Sequence, residues 1–118
     1  MKTRKERHFS AEYISFLCSE IRLIVKSGIP LEEAFSIMAE EESDRETSQI
    51  LSEIAKRIGE GDSLQDVFAG SGKFPAHMID MIEMGYSTGY LEEVFAQLAK
   101  YYDREARLRD SIRNAIMY

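Results

Sequence analysis

The sequence predicts an all-α fold, a compact six-helix bundle of antiparallel helices. Helix-forming residues dominate the 118-residue chain, and only two prolines and seven glycines interrupt it. Apolar residues recur at helical spacing in successive segments, and glycine, proline or a capping side chain bounds each segment. A hydrophobic fraction of 44% at this length is sufficient for one domain with a single core.

The first two helices are bounded by a serine, a glycine and a proline. Ser10 is the predicted N-cap of a helix that runs to about Lys26, and Gly28 ends it. Pro30 then stands at or near the first position of the second helix, where its missing N–H costs nothing. Cys18 belongs to the apolar stripe of the first helix, so we expect a buried side chain and not a reactive thiol.

Capping-box spacing predicts the third and fourth helices. Ser43 and Glu46 have this spacing before the third helix, which Gly59 and Gly61 close. Ser63 and Asp66 repeat it before a short fourth helix that ends in the range 70–72.

A methionine-rich segment and a long amphipathic segment predict the last two helices. The fifth follows Pro75 and is predicted to run from Ala76 to about Met84, with Gly85 at its end and Thr88 or Gly89 capping the sixth. The sixth keeps an apolar face to the end of the chain without a stop signal. We therefore expect a long last helix that continues toward a transmembrane span.

One short pattern recurs at three predicted helix starts. It consists of leucine, two acidic or amide residues, a small apolar residue and phenylalanine, and it occurs at 31–35, 64–68 and 91–95. Carboxylates in a first turn complement the helix dipole, and residues four apart share one helix face. The unequal spacing of 33 and 27 residues favours a bundle over a regular solenoid.

Charge is distributed unevenly along the chain. Residues 30–93 hold fifteen acidic and four basic side chains, a balance of −11, whereas residues 2–7 hold four basic and one acidic, a balance of +3. The acidic body would repel phosphates, which argues against nucleic-acid binding. We divide the chain into a basic, flexible N-terminal tip at 1–9 and a helical domain at 10–118. The tip is either a solvated tail or a segment close to an anionic membrane leaflet.

The motifs resemble, in order, those of the F-type inner-membrane platform proteins of bacterial type II secretion and type IV pilus systems. The matching segments span about residues 13–118 and include 28–34, 61–64, 74–75, 85–91 and 98–102. The family-motif residues, to which we assign structural roles, are Gly28, Pro30, Leu31, Gly61, Leu64, Pro75, Gly85, Gly89 and Leu91. The chain departs from the family at Tyr86, where the family usually has glutamate.

The resemblance implies a non-enzymatic scaffold domain on the cytoplasmic face of the bacterial inner membrane. Its implied partners are an assembly ATPase and other platform proteins, with the membrane reached through segments outside this chain. No P-loop, cofactor motif or metal-ligand spacing is present in the sequence, so we expect no cofactor, and the carboxylates at 40–42 are interpreted as a solvated face.

Two other function classes remain open from the sequence. The first is a self-contained soluble helical adaptor unrelated to secretion. The second is an enzyme that uses His77 with Asp80 or Glu83 as acid and base, although an i, i+3 pair on a helix is usually a solvated contact.

Two surfaces are candidates for binding partners. The acidic first turns that contain Glu32, Glu33, Glu92 and Glu93 are predicted to meet a basic partner surface. Tyr90, Tyr101 and Tyr102 are candidates for a self-association face, since three tyrosines so placed cannot all point into one core.

Overall fold

The computed structural model describes residues 7–118, and these residues form six α-helices without strands. Their bounds are α1 Ala11–Lys26, α2 Leu31–Glu41, α3 Arg45–Gly59, α4 Leu64–Ser71, α5 Ala76–Thr88 and α6 Leu91–Met117. The all-α six-helix prediction is confirmed. Within residues 7–118, no helix is both long enough and apolar enough to cross a membrane.

Helices that are consecutive in the chain pack against each other, and the last helix packs against the first. Each helix lies beside the next one, and α6 closes the ring by packing along α1 in the most extensive helix pair of the described residues. The two backbones come close, because the Ser15 hydroxyl donates to the Ala99 carbonyl over 2.9 Å. Small side chains at such a contact allow close approach of two helices.

Aromatic and aliphatic side chains from all six helices fill the centre of the ring. Phe35, Phe68 and Phe95, the three phenylalanines of the recurrent pattern, are each no more than 1% exposed. The Phe35 and Phe68 rings meet edge to face at 5.5 Å between centroids. Cys18 is buried in the same core, as predicted, and burial raises the pKa of its thiol to about 12.

The three serine N-cap predictions are correct for two helices and wrong for one. The Ser10 and Ser63 hydroxyls accept from the amides of Tyr13 and Asp66 over 3.1 and 3.0 Å. For α3, however, the cap is Asp44 and not Ser43: its carboxylate accepts from the Thr47 amide at 2.9 Å. Aspartate and serine are about equally good N-caps, so the sequence alone could not separate these neighbours.

The fifth helix is longer than predicted. It continues through Gly85 and ends at Thr88, whose hydroxyl donates back to the Met84 carbonyl over 2.8 Å. Gly89, with φ of 81°, forms the left-handed C-cap, and Tyr90 precedes α6 without a side-chain capping bond. The predictions that Gly85 ends α5 and that Thr88 or Gly89 caps α6 are therefore wrong.

The sixth helix extends past the rest of the bundle. Ala106 is its last buried residue, and every residue after it is exposed. The range 107–117, called the overhang below, would extend for roughly 16 Å at the rise of an α-helix. Its continuation toward a membrane span stays a prediction.

The division of the chain at residue 9 also stays a prediction, because residues 1–6 lie outside the described residues. Phe9 packs against Tyr13 and Phe74, with ring centroids at 4.9 and 5.5 Å. Its amide donates to the Lys73 carbonyl over 3.0 Å. The segment immediately before α1 is thus packed against the bundle through Phe9.

Candidate interaction surfaces

The three recurrent helix starts lie at the same end of the bundle, called the helix-start end below. α1 runs antiparallel to α6, since Arg22 near the end of α1 approaches Glu92 in the first turn of α6 at 4.0 Å. α2 begins directly after α1, and its Glu32 carboxylate lies against Gly59 at the end of α3. α4 begins beside that same end, where Arg57 binds Asp62 at 2.9 Å.

The helix-start end combines buried apolar anchors with exposed carboxylates. Leu31 and Leu64 are buried, whereas Leu91 is half-buried. Glu32, Glu33 and Glu93 are exposed, and Glu92 is half-buried beside Arg22. The carboxylates of the predicted partner surface are therefore brought together by topology, although their sequence positions are far apart. Carboxylates in first turns are also stabilised by the helix dipole.

Gly85 allows α6 to pack closely against α5 through Val94. A Cβ atom at Gly85 would lie 2.7 Å from Val94 Cγ2 and 3.3 Å from the Tyr90 carbonyl oxygen, so α6 approaches α5 too closely for a side chain there. The Gly85 carbonyl also accepts from the Tyr90 amide over 2.8 Å. Gly85 is thus required for packing, while Gly89 supplies the positive φ of the turn.

Three large side chains are exposed around this corner. Met84, Tyr86 and Tyr90 are 62%, 56% and 59% exposed. Tyr86, the position at which the family usually has glutamate, therefore projects into solvent from α5. Its neighbours give this corner an apolar character that a glutamate would reduce.

The tyrosines proposed for self-association occupy different environments. Tyr90 and Tyr101 are exposed, but Tyr102 is only 5% exposed. The Tyr102 hydroxyl lies 3.0 Å from His77 Nε2, and burial raises its pKa above the ordinary value. The assignment of Tyr102 to a self-association face is therefore wrong; Tyr90 and Tyr101 stay candidates.

His77 is part of an aromatic cluster on α5 and α6. Its ring stacks on Tyr102 with centroids 5.7 Å apart and meets the edge of Tyr101 at 5.3 Å. Asp80 and Glu83 are exposed, and among the described residues no hydrogen bond or ion pair joins either of them to His77. The proposed acid–base pair on α5 is therefore not assembled. No sequence pattern signalled the His77–Tyr102 contact, because it joins two helices.

A groove of about 340 Å³ runs between α5 and α6 beside this cluster. Its lining is largely apolar, with cationic side chains at its edge, and comprises His77, Met81, Gln97, Leu98, Lys100, Tyr101 and Arg104. A second groove of about 240 Å³ lies between α3 and α4, with Ile50, Ile54 and Val67 among its apolar residues. Neither groove converges carboxylates or imidazoles in the manner of a metal centre.

The carboxylates at 40–42 do not act together. Glu40 and Glu41 are exposed, whereas Glu42 accepts from the Tyr13 hydroxyl and the Asp44 amide, both over 3.0 Å. In the range 7–118, no group of three or more histidine, cysteine or acidic side chains lies close enough to hold a metal ion.

Comparison with known proteins agrees with the family resemblance of the sequence. The family model described as type II secretion system (T2SS), protein F, matches residues 17–118. The chain is 26% identical to type II secretion system protein F of Vibrio cholerae over 96% of this chain and 28% of that protein. It is 31% identical to the protein of the same name from Pseudomonas aeruginosa over 74% of this chain and 22% of that protein.

A pilus protein is also similar to the chain. The type IV pilus assembly protein TapC of Aeromonas hydrophila is 23% identical over 89% of this chain and 26% of its own length. The chain thus spans about a quarter of the length of the curated relatives it matches. From the match over residues 17–118, the chain belongs to the type II secretion system protein F family.

Proposed function

We propose that this chain is a non-enzymatic scaffold domain of the inner-membrane platform of a type II secretion or type IV pilus system. It lies on the cytoplasmic face and contacts the assembly ATPase and other platform proteins. Membership of the protein F family supports the platform role, because the relatives carry secretion and pilus-assembly names. An adaptor unrelated to secretion does not agree with that membership.

The proposed partner surface lies at the helix-start end. Three helix N-termini meet there, and their first turns expose Glu32, Glu33 and Glu93 beside the half-buried Glu92. Two cations at this end are engaged, since Lys56 approaches Glu60 at 3.9 Å and Arg57 binds Asp62, whereas Lys26 at the end of α1 is exposed. A basic surface on the ATPase or on another platform protein would complement these carboxylates.

Binding of this chain to the assembly ATPase encoded in the same genome tests the proposal. Reversal of Glu92 and Glu93 to lysine should weaken the affinity and reduce its dependence on salt, because exposed charges act over about one Debye length. Reversal of Glu40 and Glu41, at the opposite end of α2, is the matched control and should change neither. Melting temperatures of all variants separate binding effects from loss of fold.

Two results would contradict the proposal. One is an equal loss of affinity in the control and the test variants. The other is full function of the Glu92 and Glu93 variant in a strain that lacks the native gene, measured as exoprotein secretion or pilus assembly.

A further inference from the structure

The outer side of α6 carries a line of apolar side chains that the described structure leaves largely exposed. Tyr101, Leu108, Ile112 and Ile116 are 40%, 57%, 53% and 77% exposed. Spacings of seven, four and four residues place them on one face of the helix. We call these four residues the outer strip. It begins at the α5–α6 groove and runs along the overhang for roughly 22 Å at the rise of an α-helix.

Cations follow the outer strip on both sides. Helical spacing places Arg104, and beyond it Lys100, along one edge and Arg109 along the other. It also places the half-buried Glu105 within the strip, four residues after Tyr101 and three before Leu108. Within residues 7–118, none of these three cations makes an ion pair, whereas Arg107, seven residues after Lys100, binds Asp103 at 2.8 Å. Lys100 and Arg104 also line the groove in which the strip begins. The chain as a whole has a net charge of −6, so this face differs in charge from the rest of the molecule.

The N-terminal segment adds positive charge at the base of the overhang. His8 and Phe9 line a recess of about 290 Å³ together with Glu105 and Arg109. The exposed Arg7 lies in the same segment, and its carbonyl accepts from Lys73 Nζ over 3.2 Å. Glu105 is the one carboxylate in this recess, and it is half-buried. His8 and Arg109, which are distant in sequence, therefore line one recess where the overhang leaves the bundle.

We propose that the outer strip binds the surface of an anionic phospholipid membrane. An interfacial helix inserts a narrow apolar face into the headgroup boundary, while arginine and lysine side chains at its edges reach the lipid phosphates. Tyrosine is also enriched at this depth, because its ring is apolar and its hydroxyl polar. The inference goes beyond the proposed scaffold role, since a lipid-binding face does not depend on which protein binds the helix-start end.

Cosedimentation of the chain with vesicles tests the proposal. Vesicles of phosphatidylcholine alone are compared with an equal mixture of phosphatidylcholine and phosphatidylglycerol at low and high salt. The wild-type chain should bind the anionic vesicles preferentially, and salt should weaken the binding. Neutralising Lys100, Arg104 and Arg109 to glutamine should lower the partition coefficient on the order of 100-fold, at about fivefold for each cation near the surface.

Matched control variants show whether vesicle binding depends on this face of α6 or only on the total charge or hydrophobicity of the chain. Neutralising the exposed Lys26, Arg45 and Lys56 changes the net charge equally but should leave binding nearly unchanged. Leu108→Ser with Ile112→Ser should reduce binding at least about tenfold. Phe16→Ser with Leu23→Ser is its control, because both side chains are 52% exposed on α1.

Three results would overturn the lipid proposal. They are binding to neutral vesicles as strong as to anionic ones, an equal loss of binding in test and control variants, and no binding to either vesicle at low salt. Sedimentation velocity could instead show that the wild-type chain is a dimer and that the double variant, Leu108→Ser with Ile112→Ser, is a monomer. The outer strip would then be a protein interface. None of these results would change the measured affinity for the ATPase, so the two proposals fail separately.

Discussion

The two ends of the bundle differ in how their apolar side chains are packed. At the helix-start end, α2, α4 and α6 repeat one local pattern, and each sends a phenylalanine into the shared core. At the opposite end, the overhang of α6 has apolar residues at regular spacing but no helix against which to pack them. Apolar periodicity therefore contributes to stability at one end and leaves an exposed face at the other. The same sequence signal has two outcomes, and topology decides between them.

Truncation of one apolar residue from each part of α6 should show the largest difference. Phe95→Ala removes a side chain that is 1% exposed and should reduce the free energy of unfolding by about 3–5 kcal/mol. Leu108→Ala, on the overhang, should change it by less than about 0.5 kcal/mol. Chemical denaturation of both variants measures the difference, and comparable losses would show that the overhang is packed in solution.

Replacement of Gly85 tests the close approach at the helix-start end. Gly85→Ala places a methyl group 2.7 Å from Val94 Cγ2 and should cost about 1–3 kcal/mol through overpacking. Val94→Ala in the same chain should recover part of that loss, because it removes the methyl groups in conflict. A double-mutant cycle by thermal or urea unfolding measures this coupling, and strictly additive effects would contradict the contact.

The N-cap of α3 should produce a smaller effect with a defined pH dependence. Asp44→Ala should lower the melting temperature, whereas Ser43→Ala should not, because Asp44 accepts from Thr47. The hydroxyl and amide of Thr47 hold the pKa of the Asp44 carboxyl below its ordinary value. This contribution is therefore complete above the ordinary pKa and is lost as pH falls through the lowered value. Melting of wild type and Asp44→Ala should converge in acid, and a constant difference would argue against this source of stability.

Restoring the family glutamate at position 86 should have the smallest effect on stability. Tyr86→Glu changes an exposed side chain and should alter the free energy of unfolding by less than about 0.5 kcal/mol. It should also reduce any self-association through the apolar corner of Met84, Tyr86 and Tyr90. Sedimentation velocity across protein concentrations measures this effect, with the exposed Tyr101→Ser as a comparison at a different site.

The elements that could be predicted are those specified within a few residues. Ser10 and Ser63 cap their helices through bonds that span three residues, and the recurrent pattern locates three helix starts. For α3 the sequence predicts Ser43 as the N-cap, whereas the structure has Asp44. Adjacent residues with similar capping ability cannot be ranked without knowing where the helix begins. Pattern reading therefore gave the number of helices and most of their bounds.

The other incorrect predictions depend on contacts between segments. Gly85 resembles a helix terminator, but its lack of a side chain is required by Val94 on the next helix. Tyr101 and Tyr102 are adjacent, and only the packing of α6 decides that one is exposed and the other lies over His77. For the same reason, sequence alone could not show that four carboxylates from two helix starts share one end.

Closure of the ring between α1 and α6 has a consequence for folding during synthesis. Within this bundle, α1 leaves the ribosome first and its most extensive partner, α6, leaves last of the six helices. Contacts of such long sequence separation form late, because a long loop must close before they contribute free energy. The apolar face of α1 is therefore only partly covered until α6 emerges, and a chaperone that recognises nascent apolar helices would have its longest access there.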